Sequence, residues 1–111
     1  MVNEIQVKTI EEYNEITSKG KVLVILYATW CHPCSITLPN LEEASDEESM
    51  NEIKFYKMNI DNHKDISKKI RTIGVPMMFL YSNGIEVKRT AGIMSKEEIM
   101  EFITLNLTYN C

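Results

Sequence analysis

The stretch KVLVILYATWCHPC, residues 21–34, constrains the fold more strongly than any other part of the chain. Residues 22–26 are apolar without interruption, which is typical of a strand that is covered on both faces of a sheet. Such strands occur mainly in α/β proteins, where helices pack on both sides of a parallel sheet. The sequence therefore predicts a buried strand that ends just before a cysteine pair, Cys31 and Cys34.

The rest of the chain is predicted to alternate between strands and helices. Patterns of the form [S/T]-x-x-E predict capping boxes at Thr9 and Ser95, and Asn83-Gly84 predicts the turn of a β-hairpin. The predicted strands cover residues 5–9, 21–28 and 53–61, and a hairpin covers residues 75–91. The predicted helices cover residues 9–19, 34–48, 62–70 and 95–107. Gly20 is predicted to end the first helix, Pro39 lies inside the second, and Asp61 or Asn62 is predicted to cap the third. This order predicts an α/β fold in which a mixed sheet of four to five strands is flanked by helices on both faces.

Length, composition and charge limit the classes of function. The 111 residues, 44% hydrophobic and 25% charged, predict one globular domain over residues 1–111. A net charge of −4 argues against nucleic-acid or membrane partners, and no apolar run is long enough to span a bilayer. The polar, acidic first residues predict no signal peptide, and three cysteines are too few for a secreted disulfide framework. We therefore expect a cytoplasmic location.

Cys31 is predicted to lie at the carboxyl end of the buried strand, where the next helix begins. A helix N-terminus offers unpaired N–H groups and a positive dipole end, and both favour the thiolate form of cysteine. Cys34 follows one helical turn later, and positions i and i+3 lie about 5–6 Å apart, within the range that a disulfide tolerates. Pro33 fits the first helical turn, where its missing N–H has no intrahelical partner. The pair is thus suited to a reversible disulfide.

A metal site and an inert structural disulfide are the alternative uses of such a pair. Zinc requires four ligands, and only His32, His63 and Cys111 remain beside the pair, with His63 on a different predicted helix. We therefore expect no metal, and a permanent disulfide is unusual in a cytosolic chain. His63 is predicted to be a solvated helix residue, and Cys111 a free terminal thiol without a role.

Over nearly its entire length the chain resembles the thioredoxin family. The segment WCHPC, Trp30 to Cys34, resembles the family's W-C-G-P-C motif, with His32 in place of glycine. Further landmarks at family spacing are Pro39, the segment KMNID (57–61), the segment GVP (74–76), Asn83-Gly84 and Gly92.

The resemblance implies the thioredoxin fold and a protein-disulfide reductase whose redox-active centre is Cys31 and Cys34. It implies that Cys31 attacks a substrate disulfide, that Cys34 resolves the mixed disulfide, and that the Val75–Pro76 bond is cis. Supporting residues of the active site would be Trp30, His32, Pro33 and Pro76, and the substrate-binding rim would be Trp30, Gly74, Val75, Pro76 and Gly92. It further implies no cofactor beyond the redox disulfide.

The partners that the resemblance implies are protein disulfides and thioredoxin reductase or another dithiol donor, with the chain acting as a monomer in electron transport and cell redox homeostasis. Two other functions remain open at this stage. One is a thiol oxidase or disulfide isomerase, and the other is a binding adaptor with incidental redox activity.

Ile25 departs from the family pattern, which usually has a buried aspartate at this position. In the family that carboxylate pairs with the third-strand lysine, here Lys57, and helps to deprotonate the resolving cysteine. Because an unpaired buried lysine is costly, we expect Lys57 to turn toward solvent. The proton acceptor for Cys34 is left open between water, His32 and the departing thiolate.

His32 is the second departure, and it generates a prediction about the redox equilibrium. A positive charge on His32 would favour the Cys31 thiolate and hence the reduced protein. One pKa unit corresponds to about 1.4 kcal/mol, or about 30 mV for a two-electron couple. The variant His32→Gly should therefore have a lower reduction potential, measured by equilibration with glutathione; an unchanged potential would contradict this role of His32.

Overall fold

Five strands form one mixed sheet in the spatial order β1-β3-β2-β4-β5 in the computed structural model, which describes residues 1–108. The strands are β1 (Val2–Glu4), β2 (Lys21–Tyr27), β3 (Ile53–Asn59), β4 (Met77–Ser82) and β5 (Ile85–Ala91). The helices are α1 (Ile10–Ile16), α2 (His32–Ser45), α3 (Lys64–Lys69) and α4 (Lys96–Thr108), with short 3₁₀ turns at Glu48–Met50 and Ile60–Asn62. The predicted mixed α/β sheet flanked by helices is confirmed.

The central strand β2 divides two hydrophobic cores. It runs parallel to β3 on one side and antiparallel to β4 on the other. Leu23 and Ile25 point into a core that α2 and α4 cover, whereas Val22, Val24 and Leu26 point into a core that α1 and α3 cover. These five side chains are completely buried, and each contributes roughly 1.5–3 kcal/mol relative to exposure. The uninterrupted apolar run thus identifies the centre of the sheet.

Both predicted capping boxes and the hairpin are confirmed. Thr9 Oγ1 accepts from the Glu12 N–H at 3.1 Å, and the Glu12 carboxylate accepts from the Thr9 N–H at 3.1 Å. Ser95 and Glu98 make the equivalent pair at the start of α4. At the hairpin, Asn83 and Gly84 have φ of 50° and 87°, the left-handed conformations that a two-residue turn of this kind requires.

The prediction of a first strand over residues 5–9 is wrong. The strand is Val2–Glu4, which pairs in parallel with residues 55–57 of β3. The Ile5 N–H still donates to the Lys57 carbonyl at 2.8 Å, but the Val7 N–H donates to His63 Nε2 at 3.2 Å instead of to a strand. The chain has therefore left the sheet by Val7, ahead of the Thr9 cap, and the Val7 N–H finds its partner in this histidine.

Helix α1 ends at Ile16 with Thr17 as its C-cap, rather than near Lys19, so Gly20 does not end it as predicted. The hydroxyls of Thr17 and Ser18 donate to helix carbonyls in the last turn, where such bonds compete with continued helix. Gly20, with φ of 72°, exchanges hydrogen bonds with Asn83: its N–H donates to Asn83 Oδ1 and its carbonyl accepts from the Asn83 N–H, both at 2.9 Å. The turn before β2 is thereby joined to the β4–β5 hairpin.

The predicted cap of α3 is also wrong, since neither Asp61 nor Asn62 caps it. The N-cap position is His63, without a side-chain cap bond, and Asn62 lies in the preceding 3₁₀ turn. His63 is not solvated as predicted but only 6% exposed, and both ring nitrogens are bonded. Nδ1 donates to the Asn59 carbonyl at 2.9 Å while Nε2 accepts from the Val7 N–H, so the neutral ring joins β3 to the segment that precedes α1.

This buried contact predicts that His63→Leu lowers the free energy of unfolding by about 1–3 kcal/mol, because the Val7 N–H and the Asn59 carbonyl both lose a partner. Urea denaturation followed by circular dichroism measures the change. The matched control is His32→Gln, since His32 is the other histidine and is exposed. A loss no larger than that of the control would show that the two bonds contribute nothing.

Candidate functional site

Cys31 occupies the N-cap position of α2 and follows the end of β2 after three residues, Ala28 to Trp30. Its Sγ accepts a hydrogen bond from the Cys34 N–H at 3.2 Å, which is the bond that a capping side chain normally accepts. Pro33 lies in the first helical turn, and Pro39 lies further along the same helix. The sulfur of Cys31 is therefore placed among the helix N-terminal amides, where negative charge is favoured.

Cys31 and Cys34 form a disulfide, with their Cα atoms 5.3 Å apart. Both cysteines and Ala28 form a small buried cluster against which Tyr27, Leu38, Ile60 and Val75 pack. Cys34 is 1% exposed and Cys31 6% exposed, so Cys31 is the member of the pair closer to solvent.

The loop before β4 approaches this disulfide. The Val75–Pro76 bond is cis, as the family resemblance implied, and the Val75 carbonyl oxygen lies 3.7 Å from Cys31 Sγ. The Pro76 carbonyl accepts from the Gly92 N–H at 3.0 Å, which fixes the position of the segment after β5. Gly92 has φ of 99°, a left-handed conformation that favours glycine. Val75 therefore lies beside Cys31, and Gly92 lies beside Pro76.

Trp30 lies on the surface and is 68% exposed, and its place in a substrate-binding rim stays a prediction. Its indole Nε1–H donates to Asp61 Oδ2 at 2.9 Å. Asp61 follows β3, and Trp30 follows its parallel neighbour β2, so the two meet at the same edge of the sheet. The sequence prediction used Asp61 as a helix cap and missed this contact, although adjacent parallel strands ending beside both residues could have indicated it.

Ile25 is fully buried, and Lys57 lies opposite it in the β2–β3 register. As expected, Lys57 turns outward: its Nζ lies 3.9 Å from Glu4 Oε1 and 5.8 Å from the centre of the Tyr27 ring. The Tyr27 hydroxyl also donates to Glu4, at 2.9 Å. Partial burial is the largest cause that raises the pKa of Tyr27 to about 12, and this bond to Glu4 is the second.

Sequence reasoning did not find the Glu4 contact. Glu4 is paired with Lys57 in the β1–β3 register, so the lysine has a carboxylate partner on the edge strand instead of in the sheet centre. The pair is about one-third exposed on both sides, so its contribution to stability is small. An acidic residue in the first strand could have indicated a partner for Lys57, but that strand was predicted at residues 5–9 and did not include Glu4.

Neither a metal site nor a membrane span is found within the described residues 1–108. No group of three or more His, Cys, Asp or Glu side chains there is arranged to bind a metal ion. None of the helices in this range is long and apolar enough to cross a bilayer. Cys111 lies outside the described residues, so the prediction of a free thiol there stays a prediction.

A Cys-x-x-Cys disulfide at a helix N-terminus, facing a cis-proline loop on a mixed sheet, defines a thiol–disulfide oxidoreductase. The family model "Thioredoxin" matches residues 4–105. The thioredoxin of Mycoplasma genitalium is 37% identical over 102 residues, which cover 91% of this chain and 96% of that protein. The chain belongs to the thioredoxin family and is a protein-disulfide reductase that uses the Cys31–Cys34 pair.

Two further comparisons concern the fold and a fused relative. The crystal structure of Malassezia sympodialis thioredoxin matches with a TM-score of 0.83 at 23% identity, covering 96% of this chain and 90% of that one, and it supports the fold alone. A bifunctional thioredoxin reductase/thioredoxin of Mycobacterium leprae is 31% identical over 97 residues, which cover 86% of this chain and 21% of that protein.

Proposed function

We propose that Cys31 is the nucleophile and Cys34 the resolving cysteine in the reduction of protein disulfides. The Cys31 thiolate attacks one sulfur of the substrate disulfide, forms a mixed disulfide and releases the other substrate sulfur as a thiolate. Cys34, deprotonated, then attacks Cys31 Sγ, forms the Cys31–Cys34 disulfide and releases the second substrate sulfur. The protein gives two electrons and two protons in total, and the substrate gains two thiols.

The N-cap position of Cys31 is the observation that carries this assignment. Its sulfur accepts from the Cys34 N–H at the start of α2, where a thiolate is stabilised. Cys34 is buried more deeply, and apolar surroundings favour the neutral thiol. The surroundings thus favour the thiolate at Cys31, as an attacking sulfur requires, and the neutral thiol at Cys34, as a resolving cysteine requires before its turn. His32 and Pro33 are the first two residues of α2 and lie between the cysteines, and we propose that they are supporting residues of the active site.

We infer that the apolar rim around the disulfide receives an extended segment that flanks the substrate disulfide. The rim comprises Trp30, Gly74, Val75, Pro76 and Gly92, to which the structure adds the exposed Ile73. The Val75 carbonyl beside Cys31 offers an acceptor to the main chain of such a segment, and the exposed indole of Trp30 offers apolar area. Asp61 fixes the orientation of that indole.

The partner, location and chain organisation are proposals of the same kind. Re-reduction by thioredoxin reductase or another dithiol donor is supported by the relative in which both functions share one chain. We propose further that residues 1–111 act as one monomeric domain in the cytoplasm, in electron transport to disulfides and in redox homeostasis, with no cofactor beyond the cysteine pair. The match of the family model across residues 4–105 supports the single domain.

The assignment of the two cysteines predicts different outcomes for their serine variants, compared in a Cys111→Ser background that removes the third thiol. Cys34→Ser should accumulate a mixed disulfide with insulin, because the attacking sulfur is retained and the resolving one is lost. Cys31→Ser should neither reduce insulin nor form the adduct. Non-reducing gel electrophoresis and mass spectrometry measure the adduct. An adduct on Cys34 in the Cys31→Ser variant, together with no adduct on Cys31 in the Cys34→Ser variant, would reverse the assignment.

A further inference from the structure

Arg89, on β5, donates to the main chain of the loop that leads to the active site. Its Nη1–H and Nη2–H groups donate to the carbonyls of Arg71 and Ile70, at 3.0 and 3.1 Å. These carbonyls follow the end of α3, where helical hydrogen bonding leaves acceptors unpaired and a cation is favoured. One side chain therefore joins the sheet edge to the end of this helix.

The guanidinium is itself oriented from two sides. Glu86 accepts from Arg89 Nε at 2.6 Å and from Nη2 at 2.7 Å, a bidentate pair. The Phe79 ring lies beneath the guanidinium, with its centre 4.5 Å from Arg89 Cζ. This planar fork is therefore preorganised toward the two carbonyls, which a lysine could not reproduce.

The turn that Arg89 contacts is conformationally unfavourable for its residues. Arg71 has φ of 62°, in the left-handed region where glycine is favoured. The turn is closed as a Schellman motif, with the Thr72 N–H donating to the Ser67 carbonyl and the Arg71 N–H to the Lys68 carbonyl, both at 3.0 Å. Thr72 Oγ1 is buried without a hydrogen-bond partner in the described part of the chain. The left-handed conformation of Arg71 therefore costs free energy, which contacts from outside the turn can offset.

The segment between this turn and Pro76 is fixed at both ends by β5 and its continuation. Arg89 contacts its beginning, and the Gly92 N–H donates to the Pro76 carbonyl at its end. Between these anchors lie Ile73, which is 86% exposed, and Val75, whose carbonyl is 3.7 Å from Cys31 Sγ. Arg89 is therefore connected, through this segment, to the part of the rim that lies beside Cys31 Sγ.

We propose that Arg89 is a positioning residue that holds the 72–75 segment in the shape that docks protein substrates. This inference rests on the proposed docking role of the rim. Arg89 does not touch the cysteines, so its loss should weaken binding of an extended protein segment and leave the thiol chemistry unchanged. A small aromatic disulfide, which needs no docked segment, should react at the same rate with and without Arg89.

The test compares Arg89→Gln with Lys88→Gln, which removes a positive charge from the neighbouring exposed position on the same strand. For insulin reduction, Arg89→Gln should raise KM about three- to tenfold with kcat unchanged, which is the signature of lost uniform binding. The rate with 5,5′-dithiobis(2-nitrobenzoate) and the reduction potential should equal those of Lys88→Gln. If KM is unchanged, or if both substrates lose rate equally, the proposal is overturned.

A rescue experiment separates positioning from general destabilisation. Glycine adopts the left-handed conformation without steric cost, so Arg71→Gly should make the turn less dependent on the guanidinium. The double variant Arg89→Gln, Arg71→Gly should return KM for insulin to within about twofold of the wild type. A double variant with KM as high as Arg89→Gln would overturn the route through the turn. Should Arg89→Gln fail to fold, Arg89→Lys replaces it, with a smaller rise in KM expected.

Ile73→Ser distinguishes failure of this inference from failure of the docking proposal. A raised KM for insulin in Ile73→Ser together with an unchanged KM in Arg89→Gln would leave the docking rim in place and reject the role of Arg89. An unchanged KM in both variants would reject the docking of substrate at this segment, and with it the inference.

Discussion

The bond between the Cys34 N–H and the sulfur of Cys31 is the contact on which the rest of the site depends. A buried strand leads to Cys31, and the helix that starts there supplies the Cys34 amide to the sulfur. The same helical turn brings Cys34 within bonding distance, and the cis-proline loop encloses the pair from the other side. The strand is anchored by apolar side chains in the two cores on its opposite faces, and α2 packs on one of these cores.

Behind the disulfide, the centre of the sheet is apolar. Ile25 fills the position opposite Lys57, and the lysine is directed toward Glu4 on the edge strand β1 and toward the ring of Tyr27 at the end of β2. The charge thereby remains partly hydrated and avoids the cost of an unpaired buried cation. The chain retains the family's lysine but gives it a partner on a different strand.

Local sequence signals predicted the features that depend on local interactions. The apolar run of β2, the Asn83-Gly84 turn and the two capping boxes each carry their cause within a few residues, and family spacing placed the cysteine pair. The predictions of the first strand, of the α3 cap and of a solvated His63 were wrong. All three features depend on a contact between Val7 and His63, which lie 56 positions apart. The Trp30–Asp61 and Lys57–Glu4 contacts likewise required the strand register to be known.

The central claim is that helix amides stabilise the Cys31 thiolate, and alkylation of that thiol tests it most directly. In the reduced Cys34→Ser, Cys111→Ser variant, which retains Cys31 as its only thiol, the rate of reaction with iodoacetamide is measured against pH. The account predicts a midpoint well below the value of about 8.5 for an ordinary cysteine. A midpoint and rate equal to those of free cysteine would contradict it.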